Sequence, residues 1–62
     1  MYNPGSYYIG NFTIVQYFNK REPVIIHCRK TWSGVLMNAR EMQESAGGKI
    51  KIYENGIVVY ER

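Results

Sequence analysis

The 62-residue sequence predicts a small α+β domain of order β-β-α-β-β, a single antiparallel sheet with one helix on one face. Three observations carry this. Two runs rich in β-branched and aromatic residues, Tyr7 to Phe18 and Val24 to Lys30, lie on either side of a polar break. Val35, Leu36, Ala39, Met42 and Ala46 recur at helical spacing, and the pattern stops at Gly47-Gly48. Near the C-terminus, Asn55-Gly56 separates two short strand-like runs.

Taken in order, Asn3, Pro4 and Gly5 are turn formers, so residues 1–6 read as an irregular arm. Tyr7 to Phe18 follows as the first strand, with Gly10 marking either a bulge or the true strand start. Asn19 to Pro23 makes a hairpin loop of about four or five residues into the second strand. Ser33 offers a helix N-cap. A rival start is Asn38 with Glu41 three residues on, a pairing like a capping box, which would leave Val35 to Met37 as strand. The longer helix is preferred, because a helix of about eight residues buries little on its own.

The closing hairpin sets a register. Both positions of a two-residue type I′ turn need positive φ, which Asn55 and Gly56 supply. Glu54 then faces Ile57, Tyr53 faces Val58, Ile52 faces Val59, and Lys51 faces Tyr60. Opposed residues share a face, so Ile50, Ile52, Ile57 and Val59 form an aliphatic set expected to pack on Val35, Leu36, Ala39 and Met42. Lys49, Lys51, Tyr53, Val58, Tyr60 and Arg62 fall on the other face.

Composition bounds the class. A chain this short forms one domain, 1–62, whose core is thin, because folding buries only about 60 % of the unfolded surface. Apolar residues make up 45 % and charged residues 21 %, a globular balance. One cysteine excludes an internal disulfide and any cysteine-cluster zinc site. The longest apolar runs, such as Val24 to Ile26, are too short for a membrane-spanning helix or the apolar segment of a secretory leader. With Met1 at its start and no tag-like tract, the chain is expected to be entire and cytoplasmic. Its net charge of +3 suits an anionic partner and equally suits ordinary solubility. Six tyrosines favour an interface, although tyrosine also favours strands.

The inventory for catalysis is poor. His27 and Cys28 are adjacent, so on a strand they point to opposite faces and cannot pair. With no Asp in the chain, no Ser-His-Asp or Cys-His-Asp triad can form. Cys28 reads as a small core residue, and His27 as an exposed strand residue. One His, one Cys and scattered Glu lack metal-ligand spacing. Glu41 and Glu44 suit a solvated helix face, and Gly47-Gly48 ends a helix instead of opening one onto a phosphate. No enzymatic activity, cofactor, metal or small-molecule substrate is therefore expected.

The best functional candidate is the second face of the closing hairpin. Lys49, Lys51, Tyr53, Tyr60 and Arg62 interleave cations with rings, the combination that binds single-stranded nucleic acid. The competing reading is a wet sheet face on which Lys51 and Tyr60 merely pair across strands. A second cluster is Arg29, Lys30 and Trp32, with Lys20 and Arg21 in the first loop. Trp32 there is either a partner anchor or a ring closing one end of the core. Tyr2, Tyr7 and Tyr8 make a third contact candidate.

In element order, small size and basic character, the chain is similar to accessory proteins encoded by phages and mobile elements, several anti-CRISPR and host-takeover proteins among them. The similarity spans the chain as element order, and no residue motif carries it. It implies a non-enzymatic interaction or inhibitor protein docking on a larger host complex that processes nucleic acid or serves defence. The alternative is a small basic nucleic-acid-binding protein using the Lys/Tyr face. A thin core and unpaired strand edges add the expectation of a homodimer.

Overall fold

A computed structural model describes residues 8–62; the expected arm, with Tyr2, and the expected strand residue Tyr7 lie outside the described residues. The elements are β1 (Ile9–Tyr17), β2 (Val24–Thr31), α1 (Trp32–Ala46), β3 (Lys49–Glu54) and β4 (Ile57–Glu61). The four strands form one sheet in the order β2-β1-β3-β4, with every neighbouring pair antiparallel. This is the expected β-β-α-β-β architecture, with α1 packed over β1, β2 and β3.

Alternation along β1 decides which face is covered. Phe12 and Ile14 point to the helix side and join Ile50 and Ile52 of β3 against Val35 and Ala39 of α1. Leu36, Met42 and Val59 pack around this core half-buried, as do Cys28, Trp32 and Tyr60. Ile57, expected in the core, is instead 68 % exposed. It sits beside the turn on an edge strand that α1 does not cover.

The helix begins two residues earlier than the Ser33 cap implies, and well before Asn38. Thr31 is the N-cap: its backbone is extended, and its Oγ1 accepts from the Gly34 N–H at 3.2 Å. This places Trp32 in the first turn, its ring centroid 5.7 Å from that of Phe12. At the other end the Gly47 N–H bonds the Gln43 carbonyl at 2.8 Å. Gly48 has φ +79°, and a Cβ there would collide with the Tyr17 carbonyl, so both the dihedral and the close approach demand glycine.

Gln16 lies on the helix side of β1 and is only 3 % exposed. Its Nε2 donates to the carbonyls of Met42 and Gly47, each at 2.8 Å. Met42 lies in the last full turn of α1 and Gly47 is its C-cap, so this one side chain ties the C-terminal end of the helix to the sheet. Gln43 extends the tie, donating to the Gly48 carbonyl at 2.9 Å and the Arg62 carbonyl at 3.2 Å.

The first connection spans residues 18–23, longer than the expected loop, because Phe18 leaves the ladder to pack beside Gly48. Arg21 lies 3.8 Å from the centroid of the Phe18 ring. Gly10 marks no bulge: it pairs with Lys30 in a regular ladder. A Cβ there would meet the Glu54 carboxylate at 2.7 Å and the Phe12 ring at 2.8 Å. Among the described residues, no helix is long and apolar enough to cross a membrane.

Candidate interaction face

The closing hairpin begins as expected and then departs from the expected register. Asn55 has φ 52° and Gly56 φ 81°; Glu54 faces Ile57, and Tyr53 faces Val58. A bulge follows, after which Ile52 faces Tyr60 and Lys51 faces Glu61. One extra residue inverts the facing of everything after it. Tyr60 therefore lies on the helix side, its ring edge-on to Trp32 at 6.0 Å and 71°. Arg62 continues that course: its N–H bonds the Ile50 carbonyl at 2.8 Å, and it lines a shallow hollow with Arg40, Gln43 and Glu44. Lys49, Lys51 and Tyr53 thus stay together, while Tyr60 and Arg62 leave them.

The departure accompanies a contact between residues far apart in the chain. The one-residue slip of β4 turns Tyr60 to the helix side, where it packs edge-on to Trp32 at the end of the core. Trp32 itself, half-buried between Phe12 and Tyr60, closes that end of the core. The second cluster is divided in the same way. Arg29 pairs with Asn11 on the open side, whereas Lys30 pairs with Gly10 on the helix side. Lys20 and Arg21 are exposed in the first loop.

The open face gains Tyr17, which strand propensity alone does not single out. Tyr17 pairs with Lys49, and Tyr53 pairs with Thr13, so the two tyrosines start about 13 Å apart along the sheet. Their hydroxyls nevertheless meet at 3.3 Å. Each side chain must therefore reach along the face toward the other. Between them lies Val15, buried although it points away from the helix. Lys51 Nζ stands 5.7 Å from the Tyr17 ring centroid. The hydrogen bond to Tyr53, with some loss of solvent, holds the Tyr17 phenol above its ordinary pKa, and Lys51 opposes this.

No protein family, curated protein or solved structure matches this chain.

The face must therefore be read from its own residues. Ile25, 56 % exposed, and Val58 place aliphatic surface on either flank of the tyrosine pair. Lys49, Lys51 and Arg29 supply positive charge, and Glu61 faces Lys51. His27 is exposed on the same face, its Nδ1 2.9 Å from the Thr13 hydroxyl. Cys28 turns to the other side, half-buried; burial raises its thiol pKa, with Lys30 acting in the opposite direction. Tyr8, from the third candidate group, is exposed and donates to Glu54 Oε2 at 2.7 Å. That bond raises its phenol pKa.

Such a surface offers area, rings with polar tips and fixed cations. These are the properties by which proteins grip other macromolecules. Beyond the expected Lys49, Lys51 and Tyr53, the members missed at the sequence level are Tyr17 and Ile25. Alternation from Phe12 and Ile14 already places Tyr17 opposite the core side of β1, and that was the available signal.

Proposed function

We propose that this chain is a small non-enzymatic interaction domain that docks the open face of its sheet on an acidic patch of a larger protein partner. The observation that carries this reading is the tyrosine pair over Val15, flanked by exposed Ile25 and Val58 and by Lys49 and Lys51. Aliphatic flanks favour a protein surface, since phosphate contacts need none. In this reading the partner is a host complex that processes nucleic acid or serves defence, and the chain is an accessory or inhibitor carried by a phage or mobile element. The small basic domain and its element order support that setting. A cytoplasmic site of action follows from the same proposal.

The test is capture from host extract, nuclease-treated, by the wild-type chain and by two variants. Tyr53→Ala with Lys51→Glu should lose the captured protein, while Lys20→Glu, in the first loop, should retain it. Capture unaffected by the face variant, or lost equally with Lys20→Glu, rejects the open face.

A second reading is favoured by one feature, the placement of Tyr17 and Tyr53 beside Lys49 and Lys51. Rings next to cations suit single-stranded nucleic acid, where a stacked base contributes about 1–3 kcal/mol. A labelled oligonucleotide whose affinity falls steeply with salt, and falls again in Tyr17→Ala, would favour this reading over a protein partner.

A further inference from the structure

We propose that two copies of this chain join β2 to β2 about a two-fold axis at Ile26, forming one continuous antiparallel sheet. The seam runs along the sheet edge and shares Ile25 and His27 with the border of the open face.

β2 is outermost in the sheet, so among the described residues its outer edge has no strand beside it. Alternate residues of an edge strand aim their N–H and C=O groups outward, a template for another strand. Its first half is apolar on both faces. Ile25 is exposed on the open side, and Val24 and Ile26 are 41 % and 39 % exposed on the helix side. Edge strands are ordinarily guarded by lysine, proline, short length or a bulge. β4, the opposite edge, has five residues and a bulge. β2 has eight residues and a regular ladder, with no cation before Arg29.

Charge selects both the occupant and the register. A two-fold axis normal to the sheet places each residue opposite its counterpart in the second copy, counted symmetrically from the centre. Centred on Ile25, the pairing brings Arg29 and Lys30 toward the first connection of the other copy, which carries Arg21 and Lys20, and this approach of like charges occurs twice. Centred on His27, it sets Ile25 against Arg29 and Val24 against Lys30. Centred on Ile26, it sets Ile26 on Ile26, Val24 on Cys28 and Ile25 on His27, and it brings Lys30 toward Glu22 at the end of the first connection. Of these, the Ile26 register alone keeps Arg29 and Lys30 away from both the aliphatic residues of β2 and the other cations, with Ile25 on His27 and Arg29 at Pro23. One strand from each copy makes a small interface, so the dimer is of the weak, concentration-dependent kind.

Cysteine cross-linking tests the register directly. Opposed residues in an antiparallel pair have Cα atoms about 4.5–5.5 Å apart, within disulfide reach. In a Cys28→Ser background, oxidised Ile26→Cys should give a covalent dimer. Ile25→Cys and His27→Cys, each about 8 Å from its own copy, should not. Sedimentation of the full chain should show a monomer–dimer equilibrium. Lys30→Glu or Glu22→Lys alone should weaken it several-fold, and the double exchange should restore it. Circular dichroism confirms that each variant is folded. The proposal is overturned if the full chain stays monomeric up to about 1 mM, a concentration reached by even millimolar dissociation constants. It is equally overturned if cross-linking is faster at residue 25 or 27 than at 26, or if the double exchange fails to restore association.

Discussion

Replacing Gln16 by methionine removes an amide while keeping the length and volume of the side chain. In the native protein that amide donates two bonds of 2.8 Å, to the carbonyls of Met42 and Gly47. Each such bond contributes about 0.5–1.5 kcal/mol net, so the pair is worth about 1–3 kcal/mol. The full penalty for stranding two carbonyls does not apply, because Gly47 is only half-buried and water reaches it. At about 0.05–0.15 kcal/mol per residue, a domain of this length has about 3–9 kcal/mol in total. A loss of about 2 kcal/mol lowers the urea midpoint by about 2 M, for a slope of about 1 kcal/mol/M. Gln16→Glu should be worse at neutral pH, since a carboxylate has no donor for either carbonyl. The sign with pH follows: facing two carbonyls in a buried site raises the carboxyl pKa, so the folded state binds the proton more tightly. This variant therefore regains stability as pH falls. Unfolding of Gln16→Met at the wild-type urea concentration would refute this account of how α1 is held to the sheet.

Ile52→Ala should cost about 2–4 kcal/mol in denaturant titration, since Ile52 is fully buried, whereas Ile57→Ala should stay within about 0.5 kcal/mol. Gly48→Ala should lower stability by more than about 2 kcal/mol, through its positive φ and the collision with the Tyr17 carbonyl; a thermal melt reads this directly. The Cys28 thiol, raised by burial, should react with a thiol reagent more slowly than free cysteine at the same pH and speed up in urea. Tyr53→Phe removes the largest cause of the raised Tyr17 pKa, so phenolate absorbance should show Tyr17 titrating at lower pH than in wild type. The wild-type shift also means that stability falls as pH rises through the phenol range, because the folded state holds that proton more tightly.

Local stereochemistry made much of the fold legible. Asn55-Gly56 demands positive φ, Gly47-Gly48 ends the helical stripe, and the helical and strand periodicities place Val35, Ala39, Ile50 and Ile52 in the core. What stayed hidden depends on distant partners. The bulge in β4 turns Tyr60 to pack beside Trp32, a contact between residues 28 apart that no local pattern encodes. Thr31 and Ser33 carry equivalent hydroxyls, and the cap at Thr31 is the one that puts Trp32 in the first turn against Phe12. Gln16 reads as a polar interruption until β1 is seen under the end of α1. The candidate face was half legible for the same reason: Lys49, Lys51 and Tyr53 share one strand, whereas Tyr17 joins them only through the β1–β3 register.

The strand order also determines how the molecule bears a load. β1 and β4 are each antiparallel to β3, so they run in the same direction. Ile9, at the start of β1, lies beyond the Phe12–Glu54 pair, and Glu61 lies opposite Lys51 toward the other end of β3. Tension applied between the first and last strands thus pulls along the strands from opposite ends of the sheet. Ladder hydrogen bonds run across the strands. The β1–β3 and β3–β4 ladders are therefore sheared with all their bonds sharing the force at once, instead of being peeled open one bond at a time. A domain this small, tethered by its ends, resists extension as a clamp.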